Sequence, residues 1–213
     1  MRILLESFFG KFYNSPKIIK ENSNIHSGIV TFSDSKACIN CDKSKKGCDK
    51  VVLKCDFLDY EVDVIDIENF INHFNNLKSL QSKKKCDLLF VNDQKIVFCE
   101  LGCRQSKYLG LGSVSIGKRQ EAIIQLRSTI EMLIKVPEIF ESINKIKDKE
   151  ALFAYRKKDE NKSDEFDSQI KSNMTSFYNL EGSISKETPF SKIIYDFEFT
   201  QVCYPNVYIW NKV

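Results

Sequence analysis

Cys86-Asp87-Leu88-Leu89-Phe90-Val91-Asn92-Asp93-Gln94-Lys95-Ile96-Val97-Phe98-Cys99-Glu100-Leu101 is the stretch on which the reading of this chain turns. The two apolar runs on either side of Asn92–Lys95 read as strands, and the polar tetrad between them reads as a turn, giving a β-hairpin. Closing that turn pairs Val91 with Ile96, Leu89 with Phe98 and Asp87 with Glu100. Directly opposed side chains lie roughly 4.5–5.5 Å apart, and like charges placed there destabilise a sheet. Facing carboxylates therefore imply a third party that cancels their charge. A hard divalent cation, Mg2+ (or Mn2+), takes one or two carboxylates together with water and phosphate oxygens. A one-residue slip of the register is the competing reading, since it would send one of the acids to solvent.

Upstream, Asp66 is placed to cap a helix bearing Ile67, Phe70, Ile71, Phe74 and Leu77 at i, i+3, i+4 spacing, with Lys83-Lys84-Lys85 after it. Val51–Tyr60, Val62–Ile65 and Gly28–Phe32 read as strands, and Ile3–Tyr13 as a short helix. Downstream, a glycine-bearing connection (Gly102, Gly110, Gly112, Gly117) leads to a long helix from Lys118 to Lys135 whose inner face is Ala122, Leu126, Ile130 and Leu133. Pro137 opens a second helix through Ile146. Ala151–Tyr155 reads as a buried strand, 157–168 as a charged loop, Ile170–Leu180 as a helix, and Ile193–Val202 and Val207–Trp210 as strands. Lys118, Glu121 and Gln125 share one stripe of the long helix at the border of its apolar face, from which they can reach a site on the sheet. The plain alternative is a solvated border.

Taken in order, Cys86-Asp87-Leu-Leu-Phe, Val97-Phe-Cys-Glu100-Leu and Glu121-Ala-Ile-Ile-Gln125-Leu resemble the PD-(D/E)XK nuclease superfamily. The resemblance covers 86–134, about a quarter of the chain, with the helix at 66–80 fitting more loosely. It implies an α/β fold of the restriction-endonuclease-like type, a mixed central sheet flanked by helices. It also implies Mg2+-dependent hydrolysis of nucleic-acid phosphodiesters, with DNA ahead of RNA as substrate and repair, restriction or defence as the setting. Asp87 and Glu100 match the metal-binding acids, the Leu101 backbone carbonyl an additional ligand, and Gln125 the auxiliary helix position. The family's lysine should stand at 102, where this chain has glycine, which supplies neither positive charge nor a proton relay. Either the cation has moved, with Lys118 first and Arg104 and Lys107 as alternatives, or the fold is kept for binding nucleic acid or a protein partner without catalysis.

Eight cysteines would suggest disulfides in a small secreted chain, but 213 residues without an export signal favour a cytoplasmic protein with reduced thiols. Cys38, Cys41, Cys48 and Cys55, in a Cys-rich segment at 33–60, have a first spacing suited to Zn2+. The set Cys38, Cys41, Cys48 and Cys203 is reminiscent of the iron–sulfur staples of some nucleases in the superfamily. A zinc-stabilised interaction module without nuclease ancestry is thus a third reading. Cys86 and Cys99 are expected to be buried on the sheet face opposite the acids, His73 reads as structural, and His26 lacks the partners of a hydrolase. The glycines at 102–117 lack the Gly-Lys-Ser/Thr ending of a phosphate loop. The composition fits a single domain over 1–213, with no apolar run of the roughly 18–20 residues that a membrane span needs. Homo-oligomerisation stays open.

Net charge is only +3. Residues 100–135 hold Arg104, Lys107, Lys118, Arg119, Arg127 and Lys135 against Glu100, Glu121 and Glu131, which accounts for that whole excess and suggests this segment as the place where a phosphate backbone docks.

Overall fold

A computed structural model describes residues 1–13, 22–25, 28–33, 50–55, 62–74, 77–105, 118–158, 185–186, 193–204 and 206–210. The strands are β1 (Asn22–Ile25), β2 (Gly28–Ser33), β3 (Lys50–Cys55), β4 (Val62–Asp66), β5 (Leu88–Val91), β6 (Lys95–Gln105), β7 (Asp148–Lys158), β8 (Ser185–Lys186), β9 (Glu198–Tyr204) and β10 (Val207–Trp210). The helices are α1 (Arg2–Leu4) and α2 (Gly10–Phe12), joined by a π-helical stretch at Leu5–Phe9, then α3 (Ile67–Asn72), α4 (Lys78–Gln81), α5 (Lys118–Ile134) and α6 (Pro137–Lys145).

A seven-stranded mixed sheet in the order β1-β4-β5-β6-β7-β9-β8 carries the molecule. From β4 through β6 neighbouring strands are antiparallel. The chain then crosses through α5 and α6 and returns as β7, parallel to β6, with β9 parallel to β7 in turn. Antiparallel neighbours need only a tight turn, whereas a parallel pair requires a long crossover, and the two helices supply it.

The hairpin has the expected register, with Val91 opposite Ile96 and Leu89 opposite Phe98. Asn92 fixes it locally: its Oδ1 accepts from the backbone N–H groups of Gln94 (3.0 Å) and Lys95 (2.8 Å), and its own N–H donates to the Lys95 carbonyl (3.0 Å). An asparagine side chain used in this way mimics the backbone of a turn and makes the tetrad a defined stop.

Alternation then sorts the side chains onto two faces. Ile65, Leu89, Val91, Ile96, Phe98, Ala151, Phe153 and Phe199 form one core with Phe9, Phe70, Phe74, Leu126, Ile130 and Leu133 of the helical segments. Val62, Val64, Phe90, Val97, Cys99, Leu152 and Val202 form another with Val51, Leu53, Tyr208 and Trp210. These last four come from a three-stranded sheet, β10-β3-β2, in which β10 is parallel to β3 and β2 antiparallel to it. The architecture is thus mixed α/β, with helices against one face of the main sheet and a small sheet, not helices, against the other.

Several expectations need correction. The helix expected over 66–80 is two short helices, α3 and α4, and it lies between the first and second strands of the antiparallel trio. The side chain of Asp66 caps α3 as expected, accepting from Asn69 N at 2.8 Å, but the helix closes at His73, whose ring Nδ1 lies 2.7 Å from the Asn69 carbonyl. Gly102 is not part of the connection: pairing with β7 holds β6 in register through Gln105. The same pairing extends β7 to Lys158, two residues into the expected charged loop. The remainder of that loop and the helix expected at 170–180 lie outside the described residues. Cys99 faces away from the acids, but Cys86 does not: it sits in irregular backbone ahead of β5 and joins the helix-side core.

Candidate active site

Glu100 lies in the middle of β6 with the same parity as Ile96 and Phe98, so it points toward the helix face of the sheet. Asp87 precedes β5 by one residue and, with the parity of Leu89 and Val91, points the same way. The ladder ends at Leu88 opposite Cys99, which leaves Asp87 and Glu100 as the next opposed pair. The Asp87 carboxylate is anchored by the Leu101 backbone N–H, which donates to Oδ2 at 2.7 Å. The Asp87 carbonyl accepts from the N–H groups of Ile67 (3.1 Å) and Glu68 (3.4 Å), which ties the start of α3 to the site.

Glu100 is held from above by α5. Gln125 Nε2 donates to Glu100 Oε1 at 2.6 Å and to the Lys85 carbonyl at 3.2 Å. One turn further on, Thr129 links the same two segments. Its hydroxyl accepts from Cys86 N (2.8 Å) and donates to the Gln125 carbonyl (2.9 Å), fully buried. The strand residues and the helix residues therefore meet through matched donors and acceptors.

The electrostatics are those of a buried carboxyl whose ionised form is only partly compensated. Glu100 is 7% exposed, and burial raises its carboxyl well above the ordinary carboxylate range, with the nearby charges of Asp87 and then Glu68 adding to the rise. The hydrogen bond from Gln125 works in the opposite direction but is outweighed. Glu100 Oε2 is buried with no hydrogen-bond partner among the described residues. Leaving a buried acceptor unsatisfied costs on the order of 1–3 kcal/mol, and more where the group is charged. A cation at this position would satisfy the orphaned oxygen and relieve the repulsion between the two acids, so the donor set fits a hard divalent metal. Among the described residues no group of three or more His, Cys, Asp or Glu side chains could hold a metal by itself. A cation here would complete its shell with water or substrate oxygens, as Mg2+ typically does.

Of the residues singled out in the sequence, Asp87, Glu100 and Gln125 come together, and Leu101 enters through its N–H. Lys118 opens α5, and its side chain lies outside the described residues, as do those of Arg104 and Lys107. Cys38, Cys41 and Cys48 also lie outside them, and Cys55 is described only as backbone in β3. Cys86 and Cys99 are buried thiols raised well above their ordinary range, chiefly by burial, and so are poor nucleophiles. Position 102 carries no side chain on the site's face of the sheet, and its partner across the β6–β7 pairing is Tyr155, stacked on Phe153 at 5.2 Å. Sequence reasoning missed Glu68 and Thr129. An acid in the first turn of a helix is ordinary dipole chemistry, so only the contact of α3 with the Asp87 carbonyl distinguishes Glu68.

No family model, curated protein or solved structure matches this chain in comparisons with each.

Proposed function

We propose that this chain is a metal-dependent nuclease of the PD-(D/E)XK type, hydrolysing nucleic-acid phosphodiesters at Asp87 and Glu100. The observation that carries the reading is the opposed pair of acids, Glu100 on β6 and Asp87 one residue ahead of β5, the former buried with an oxygen that no described residue satisfies. The order of elements supports it: antiparallel strands bearing the two acids, then a helix bearing Gln125, then a parallel strand. The family's core is helix, three strands, helix, strand. Here β4, β5, β6, α5 and β7 follow its order after the first helix, whereas α3 and α4, matched loosely to that first helix, fall between the first two strands.

Asp87 and Glu100 would hold the metal, with the Leu101 carbonyl as a further ligand. The cation, when bound, activates water and offsets charge developing on the phosphate. The chain's own residues prepare that place. Leu101 N–H fixes one carboxylate and Gln125 the other, so neither has to reorganise when charge develops. The deep setting of Glu100 on the sheet lowers the local dielectric and strengthens any electrostatic contact made there. Lys118, at the start of α5, is the chain's first candidate for the cationic role that Gly102 cannot fill.

Incubation of the purified chain with single- and double-stranded DNA and RNA in Mg2+ or Mn2+ tests the proposal. Cleavage should be abolished by Asp87→Ala and by Glu100→Ala individually. Full activity in either variant would place the chemistry elsewhere. A second reading, a non-cleaving subunit that binds nucleic acid or a protein, is favoured by one observation, the side-chain-free position 102. It predicts binding without turnover in either metal.

A further inference from the structure

We propose that the exposed lysines Lys78, Lys83 and Lys84 form the docking surface for the phosphodiester backbone that leads into the carboxylate site. The inference rests on the nucleic-acid reading above and adds to it where on the protein the substrate lies.

From Leu77 to Cys86 the sequence runs Leu-Lys-Ser-Leu-Gln-Ser-Lys-Lys-Lys-Cys, with four lysines and no acid. Leu80 and Lys85 turn inward, at 1% and 9% exposure, and carry the segment on the core. Lys78, Ser79, Gln81, Ser82, Lys83 and Lys84 are exposed. None of Lys78, Lys83 and Lys84 makes a side-chain hydrogen bond or ion pair with another described residue. Adjacent like charges repel, and the C-terminus of a helix as short as α4, four residues, offsets little of that repulsion.

Position separates these lysines from an ordinary solvated face. Lys84 is three residues from Asp87, so the two Cα atoms are no more than about 11 Å apart. One strand of duplex carries a phosphate about every 3.4 Å along the axis, so that span covers about three phosphates. The segment's end is also fixed to the site, because Gln125 holds the Lys85 carbonyl and Glu100 with the same nitrogen. A backbone seated on Lys83 and Lys84 would therefore pass within a few phosphates of the two acids.

The segment to which charge counting pointed, 100–135, behaves differently. Arg127 donates to the Ile193 carbonyl at 2.8 Å, and Arg119 lies over the Phe199 ring at 5.4 Å. These guanidinium groups are engaged within the fold, whereas the lysines ahead of Asp87 present strongly hydrated point charges to solvent, suited to phosphate.

The test is salt-dependent binding of a short labelled DNA oligonucleotide, single-stranded and duplex, to the full chain in EDTA so that no cleavage intervenes. Lys83→Gln/Lys84→Gln should flatten the plot of log K against log salt by roughly 1.4 for the single strand and 1.8 for the duplex, whatever the base sequence. Lys145→Gln/Lys147→Gln removes two exposed lysines beside the start of β7, where Asp148 pairs with Lys95 some five residues short of Glu100, and should leave the slope unchanged. An unchanged slope in the first variant, an equal fall in both, or no oligonucleotide binding by the unaltered chain overturns the proposal. So does lysine-dependent binding to anionic phospholipid vesicles while oligonucleotide binding ignores the lysines. Lysine-dependent binding without cleavage in Mg2+ or Mn2+ would sink the catalytic reading and leave this one standing. Cleavage indifferent to Lys83 and Lys84 would do the reverse.

Discussion

Replacing Glu100 with glutamine exchanges a buried ionisable carboxyl for a neutral group of the same shape, and the effect on stability has a definite sign. In the folded protein the carboxyl is held well above its ordinary range by burial, then by Asp87 and Glu68. In the unfolded chain it titrates near about 4.3. Between those two values the folded state keeps a proton that the unfolded state has released, so the free energy of unfolding falls as pH rises through that window. One group differing by a full proton gives a slope of about 1.4 kcal/mol per pH unit. Below the window the penalty vanishes, and above it the penalty is complete and constant. Glu100→Gln has no such proton to lose. Urea unfolding at closely spaced pH values should therefore show the unaltered protein losing stability faster than the variant from the ordinary carboxylate range upward. The curves should draw together at the acid end and separate at neutral pH, with the variant the more stable. Asp87→Asn should narrow the window, because it removes the nearest repelling charge and keeps an acceptor for the Leu101 N–H. Mg2+ should stabilise the unaltered protein and not Glu100→Gln, by about 2.7 kcal/mol at a hundred times its dissociation constant. Parallel pH curves for the unaltered protein and Glu100→Gln would refute the reasoning, since they would mean that the carboxyl is not held out of solvent.

Three further outcomes are expected. Thr129→Val keeps the shape of the side chain but leaves the buried Cys86 N–H without its acceptor, costing about 1–3 kcal/mol in chemical denaturation; Thr129→Ser should recover most of this, and a neutral valine would show that the hydroxyl is dispensable. Lys95 is 5% exposed, bonded to Glu150 at 2.6 Å and to Asp148 at 2.9 Å, so Lys95→Met strands a buried carboxylate at a cost of about 3–5 kcal/mol; a drop in thermal midpoint smaller than that of Thr129→Val would contradict this. Asp66→Ala removes the cap of α3 and should cost about 1 kcal/mol, with Asp66→Asn close to unaltered, as read by hydrogen exchange at Asn69.

The hairpin was legible because its alternation and its turn agree, and because a one-residue slip would have buried polar side chains and exposed apolar ones. The inner face of α5 and the cap at Asp66 were legible for the same reason, each being a local pattern with one favourable solution. Contacts between segments distant in sequence were not. Thr129 is an unremarkable helical residue until Cys86 is placed beside it, and Lys95 reads as the end of a turn until Glu150 arrives from β7. The split of α3 from α4 was hidden because the apolar spacing through Leu77 continues across the break. Charge counting located an excess of cations in 100–135 but could not show that Arg119 and Arg127 are taken up by Phe199 and Ile193. The exposed lysines beside the site lay in a run that reads, from sequence alone, as the end of a helix.

The small sheet has a consequence for how the chain is made. Its central strand, β3, pairs on one side with β2 close by in sequence and on the other with β10, roughly 150 residues downstream. Tyr208 and Trp210 join Val51 and Leu53 of β3 in the core against Val64, Phe90, Val97, Leu152 and Val202, and the Tyr208 hydroxyl donates to Glu150 at 2.8 Å. During synthesis at about 5–20 residues per second, most of the main sheet leaves the ribosome seconds before the strand that completes its cover. For that interval only β3 and β2 of the small sheet cover its apolar face, and the Lys95–Glu150 pair lacks the wall that Tyr208 and Trp210 provide. Nascent chains stalled ahead of Val207 should therefore be the ones that chaperones bind and proteases cut, and release of the final strands should end that vulnerability in a single step.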